Sequence, residues 1–236
     1  MPAPSNISLV LLMLRLELES GSGPADIAAA ALIERSGVAP STMTGLLRAA
    51  DASGLITWTA RHGARLTAQG RREALRQLRR HRIVETYLAT HLGIDWALVH
   101  DEAVRIDAAA SDLLIERMDA AMGHPSHDPH GDPIPDAAGA MPPARACCRP
   151  DDGTPRSHGP LTALPVDRPL QIVHVLGNDT AFLQLLGRHG VRPGGRVRVA
   201  AGDAGSGTVT IAAADAPPLT LATGIARQVH ACISVG

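Results

Sequence analysis

Aromatic side chains are nearly missing: two Trp, one Tyr and one Phe among 236 residues, 2% in all. Any core must therefore be built from Ala, Leu, Val and Ile, and the 45% hydrophobic content is ordinary for a globular chain. Lysine is absent, so all 22 basic side chains are arginine. With the abundance of Ala and Gly this reads as codon bias rather than chemistry. Cysteine is scarce, only Cys147, Cys148 and Cys232. An odd number with one adjacent pair excludes a disulfide framework and has no CxxC spacing. Long apolar runs are lacking as well. Ile7 to Leu14 is broken by Arg15, Glu17 and Glu19, has no basic leader and is too short to span a bilayer. These absences point to a reducing cytoplasm and no membrane partner. There is no GxSxG, no phosphate-cradling glycine loop and no HExxH, which excludes the common enzyme readings.

The formal net charge of −1 rules out a whole-molecule attraction to nucleic acid. Its distribution is uneven. Arg61, Arg65, Arg71, Arg72, Arg76, Arg79, Arg80 and Arg82 lie within one stretch opposed only by Glu73. Such a stripe draws a polyanion locally; it is equally what a solvated helix face looks like.

Residues 7–20 predict an amphipathic or buried helix. Asp26 is placed to cap a second, running to Arg35, and after Ser36-Gly37-Val38-Ala39-Pro40 a third opens at Ser41, Thr42 and Thr44 and continues to Ala52. That is a helix-turn-helix pattern. Leu55–Thr59 and Arg65–Thr67 alternate as strands around a turn at Gly63, so a hairpin wing follows directly. A long helix over 70–91, one capped by Asp95 and running through Ala108, and one from Ser111 to Met122 come next. Residues 136–160, rich in Pro, Ala, Gly and Arg, read as a flexible linker. Beyond it Gln171–Val175, Arg196–Val199, Thr208–Ile211 and Val229–Val235 alternate as strands, with a short helix from Asp179 to Leu186, which suggests a small barrel.

Three runs, "STMTGLLRAADASGLI", "GARLTAQGRREALRQLRRHRIVETYLATHLGIDWALVHDEAVRIDAAASD" and "GHPSHDPHGDPIP", resemble the diphtheria-toxin-repressor family of iron- and manganese-dependent regulators. The segment "LQIVHVLGNDTAFLQLLGRHGVRPGGRVRV" is similar to the SH3-like third domain of its longer members. The resemblance implies an α+β chain in four parts. These are a winged helix-turn-helix over 1–75, an all-α metal-binding and dimerisation domain over 76–140, a linker over 141–165 and an SH3-like small β-barrel over 166–236. It also implies a metal-responsive repressor, a homodimer on an inverted-repeat operator in double-stranded DNA, with a divalent transition metal, Mn or Fe, as cofactor. The rival reading is a regulator-derived interaction or metal-handling protein that no longer binds DNA specifically.

Base readout is expected from the start of the third helix, at Ser41, Thr42, Thr44 and Arg48. Helix capping is the plainer role for Ser41. Family members read bases from the position of Gly45, which has no side chain here. Arg61 or Arg65 on the wing, and Arg71 or Arg72 after it, are candidates for phosphate contacts.

His81 and Glu85 are four apart and so share one helix face, and His100 opens the next helical stretch. Two imidazoles and a carboxylate suit divalent Mn, Fe, Ni or Zn. The resemblance makes this trio one of two family sites. By register the other site falls on Val10, Met13, Val104, Asp107 and Ala108, where Val and Ala offer no donor; Asp107 alone keeps a carboxylate and joins the expected ligand set. Positions near Asn178, Asp179 and Ala181 are where the third domain contributes in some members. The loop from His124 through His127, Asp128 and His130 to Asp132 could form a further site, but it matches a pattern the family shares.

Overall fold

The computed structural model describes residues 5–20, 25–107, 109–142, 158–166, 168–200 and 207–233. The chain forms two compact units, Met1–Arg80 with Pro135–Ala140, and His81–Ile134 with Met141–Gly236.

The first unit is the winged helix-turn-helix. Helices α1 (Asn6–Ser20), α2 (Ala29–Ser36) and α3 (Pro40–Ala52) precede strands β1 (Ile56–Thr59) and β2 (Gly63–Leu66), and α4 (Ala68–Thr90) begins here. Val10, Met13, Leu14, Leu32, Met43, Leu47, Ile56 and Leu78 fill its core, each essentially without exposure. Aliphatic side chains and Met thus do the packing that aromatics would do elsewhere. β1 and β2 pair antiparallel from Ile56–Leu66 to Thr59–Gly63. Gly63 has φ +91°, and a Cβ there would lie 2.6 Å from the Ile27 carbonyl oxygen, so the turn needs glycine twice over.

Asp26 does not cap α2. The helix starts at Ala29 with Ala28 as an uncapped N-cap, because Ile27 is drawn into an antiparallel bridge with Ala64. The two exchange N–H···O bonds of 2.8 and 2.9 Å, which adds an extended residue to the wing. Asp26 is left facing Arg65. Nor is Ser41 a cap: Ala39 holds that position and Pro40 opens α3.

The second unit carries the rest of α4, then α5 (Val99–Ile106), α6 (Asp112–Ala121), a loop over 123–134 and a six-stranded antiparallel sheet. Asp95 caps a turn, accepting the Ala97 N–H at 2.8 Å, so α5 starts later than expected, at Val99. Ser111 caps α6 through the Leu114 N–H. The strands are β3 (His158–Pro160), β4 (Pro169–Val175), β5 (Arg196–Ala200), β6 (Thr208–Ala213), β7 (Leu219–Ala222) and β8 (Val229–Ile233), in the order β3-β8-β4-β5-β6-β7. Helix α7 (Thr180–Arg188) is capped by Asp179, and a short α8 (Thr223–Ala226) precedes β8. Leu170, Ile172, Val175, Leu183, Leu186, Val191, Val229 and Ala231 form the core of this α+β, SH3-like domain, and Trp96 from the helical part packs into it. β3 and β7, of three and four residues, were not foreseen.

The 123–134 loop is laid along β4. The Val175 N–H donates to the His130 carbonyl at 2.9 Å, and Gly131, at φ +95°, would bring a Cβ to 2.0 Å from the Val173 carbonyl oxygen. Ile134 plugs the helical core, 3% exposed. Cys147, Cys148 and most of the expected linker lie outside the described residues; Cys232 is buried in β8.

Candidate metal centre and nucleic-acid interface

Apolar spacing on α4 buries one face, with Ile83, Val84 and Leu88 in the core of the second unit. His81 and Glu85 are carried inward with them, at 5% and 3% exposure. His100 enters from the first turn of α5. Nε2 of His81, Nδ1 of His100 and Oε1 of Glu85 then form a nearly equilateral triangle: 3.1 Å between the imidazole nitrogens, and 3.0 Å from each to the carboxylate oxygen. Burial pushes the Glu85 carboxyl upward, but the His100 and His81 imidazoles 3.0 Å away outweigh it, holding its pKa well below the usual carboxylate range.

Three lone-pair-bearing atoms this close in a dry site repel one another unless protons or a cation sit among them. Donors to one first-row ion about 2.1 Å away lie about 3.0–3.4 Å apart, so the triangle is compact enough for its three atoms to share a single cation.

Asp107 stands elsewhere. At the end of α5 its Oδ2 lies 2.8 Å from Nδ1 of His81, on the opposite side of the imidazole from the triangle. Of the other register positions, Val10 and Met13 are wholly buried in the core of the first unit, Val104 is half-buried on α5, and Ala108 lies outside the described residues. Asn178 and Ala181 are exposed, and Asp179 accepts the Phe182 N–H at 2.7 Å as a helix cap.

A second group of donors shares Glu85: the carboxylate of Asp128 and an imidazole nitrogen of His130 lie within 4.8 Å of it, all three residues buried. Nε2–H of His130 donates to the Trp96 carbonyl at 2.8 Å, which leaves Nδ1 as the acceptor of the neutral ring. Oδ1 of Asp128 accepts the His130 and Asp132 N–H groups, each at 2.9 Å. Burial, with the nearby charges of Asp132 and Glu85, raises the Asp128 carboxyl well above its usual range despite Arg82 at 3.7 Å. Asp132, though also pushed up by burial, is brought down to about 2 by the His174 imidazole 3.2 Å away and by Arg82. The one sequence signal for this pair was the density of His and Asp in the loop. That run matches a pattern the resembled family shares, and nothing local says that the loop turns back onto α4.

The nucleic-acid candidates divide. On α3, Met43, Leu47 and Ala50 face the core, so Ser41, Thr42, Gly45, Arg48 and Ala49 share the exposed face. Thr44 is half-buried and its hydroxyl donates to the Pro40 carbonyl at 2.9 Å. Arg61 is exposed at the tip of the wing, whereas Arg65 makes a two-pronged pair with Asp26 at 2.9 and 3.0 Å. The stripe on α4 is less uniform than its composition suggests. Arg71 pairs with the buried Glu17, Arg79 donates to the Pro135 carbonyl, and Arg82 binds the Pro133 carbonyl and Asp132.

A winged helix-turn-helix, a buried His-Glu-His triangle and an SH3-like domain together define a metal-dependent transcriptional regulator. Residues 67–136 match the iron dependent repressor, metal binding and dimerisation domain, and residues 159–231 match the FeoA domain. The iron-dependent repressor IdeR of Mycobacterium tuberculosis is 30% identical over 190 residues, 77% of this chain and 79% of its own length. The diphtheria toxin repressor of Corynebacterium diphtheriae is 31% identical over 103 residues, 44% of each chain. A solved manganese-dependent transcriptional repressor in complex with manganese superposes with a TM-score of 0.76 at 30% identity, covering 96% of this chain and all of that one. The chain belongs to the diphtheria-toxin-repressor family of iron- and manganese-dependent transcriptional repressors. Among the described residues no helix is long and apolar enough to cross a membrane.

Proposed function

We propose that this protein is a homodimeric repressor that binds an inverted-repeat operator and holds one divalent Mn or Fe ion on His81, Glu85 and His100. The observation that carries this reading is the buried triangle of two imidazole nitrogens and a carboxylate oxygen, with 3.0–3.1 Å edges. The bound ion would supply a positive charge that neutralises Glu85 and ties α4 to α5; the protein supplies two neutral imidazoles and excludes water. Contact with DNA falls to Ser41, Thr42 and Arg48 on α3 and to Arg61 on the wing, with Arg65 available only if Asp26 releases it. Leu113 and Leu114, 68% and 43% exposed on α6, offer the apolar surface that a dimer would cover.

The metal sites of the two readings overlap, so DNA decides between them. The bare Gly45 and the internally bonded Thr44 favour the rival, a family member that has lost specific recognition. The test is an electrophoretic shift on DNA from upstream of the protein's own coding region, with Mn, with Fe(II) anaerobically, and with chelator. Retardation that survives excess unrelated DNA supports the repressor; retardation lost to such competitor supports the rival.

A further inference from the structure

We infer that Asp107 is a positioning residue for the cation site, holding His81 in the tautomer whose Nε2 lone pair faces Glu85 and His100. The inference rests on reading His81, Glu85 and His100 as a cation site. A ligand role for Asp107 itself is hard to reconcile with its place. The two nitrogens of an imidazole point to opposite sides of the ring, and Asp107 meets Nδ1 at 2.8 Å while the other donors gather at Nε2. A carboxylate oxygen accepts, so the short contact places the ring proton on Nδ1 and turns the Nε2 lone pair toward Glu85 and His100. The side chain is 21% exposed against 6% for His81, so the pair is sheltered and the bond competes with little water.

The residue is held where this requires. Asp107 follows the last residue of α5 in helical conformation, its N–H bonded to the Ala103 carbonyl. Two turns earlier the same helix delivers His100 to the triangle. α5 therefore supplies one donor directly and steers another through Asp107. The short aspartate arm matters: the carboxylate ends 2.8 Å short of the ring rather than reaching past it. A carboxylate behind a ligating imidazole also raises the basicity of the bound nitrogen.

The test pairs two readouts on the full-length protein. The first, in metal-free protein above pH 8, is the tautomer of His81 from long-range ¹H–¹⁵N spectra, assigned by loss of the signal in His81→Ala. Wild type and Asp107→Asn, whose amide oxygen still accepts, should show Nδ1–H; Asp107→Ala should lose that preference. The second is Mn(II) titration by calorimetry. Asp107→Ala should weaken binding by about 10–100-fold at unchanged stoichiometry, and Asp107→Asn should recover most of it. An Nε2–H tautomer in the wild type, or equal affinity of Asp107→Ala and wild type, overturns the inference. So does a bound ion that loses an oxygen neighbour in X-ray absorption of Asp107→Ala, since that marks a ligand. If the wild type binds no Mn(II), or His81→Ala binds it equally well, the cation-site reading fails while the tautomer result still stands.

Discussion

Removing both imidazoles of the triangle should abolish the coupling between metal and folding. In His81→Ala/His100→Ala, the buried Glu85 loses both of the imidazoles that lie 3.0 Å from its Oε1. A ligand that binds only the folded state stabilises it by about 2.7 kcal/mol at 100 times its dissociation constant. At about 2–4 °C per kcal/mol for a unit of this size, Mn(II) should raise the wild-type melting temperature by about 5–10 °C over a chelator control. The double variant should show no such rise. The pH dependence follows from which groups must lose protons. The folded pKa of Glu85 is depressed by the imidazoles beside it, so its deprotonation does not limit binding near neutral pH. Histidine side chains in general take up protons below about pH 6.5, and the metal-induced rise should shrink over that range. Differential scanning fluorimetry at pH 7.5 and 5.5, with and without Mn(II), reads all four conditions. An equal rise in the double variant would refute the assignment and direct attention to Glu85, Asp128 and His130.

Three further outcomes are expected. Asp128→Asn keeps the Oδ1 acceptor for two N–H groups and removes a buried charge near Glu85 and Asp132. Because the folded pKa of Asp128 is raised, the wild type loses stability as pH rises through the window between its unfolded and folded values. Metal-free Asp128→Asn should therefore melt higher than wild type at pH 7 and converge with it near pH 4, as thermal melts in chelator will show. A Cβ at Gly45 meets nothing within 4 Å, so Gly45→Ala should stabilise α3 by about 1 kcal/mol, measured by urea unfolding. Arg61→Ala should reduce the log–log salt slope of DNA binding by about one, whereas Arg65→Ala should change it less. Asp26→Ala, by freeing Arg65, should steepen it in fluorescence anisotropy titrations.

What local chemistry specifies, the sequence alone determined. Helical spacing put His81 and Glu85 on one face, glycine marked the wing turn at Gly63, and Ser111 marked the start of α6. These depend on neighbours within a few residues, and so does the four-residue spacing behind the metal reading. Where a side chain's partner lies far along the chain, only the tertiary structure decided. Asp26 was placed as a helix cap and instead holds Arg65, 39 residues on, because the Ile27–Ala64 bridge delays α2. The arginines of α4 look alike in sequence, yet Arg79 and Arg82 are spent on carbonyls more than 50 residues away. Asp107 was expected among the ligands, and the packing of α5 sets its carboxylate against Nδ1 of His81. Asp128 and His130 reach Glu85 only because Gly131 lets their loop lie against β4. A carboxylate's role is set by whichever donor the fold brings within about 3 Å of it, and that distance is not written in the local sequence.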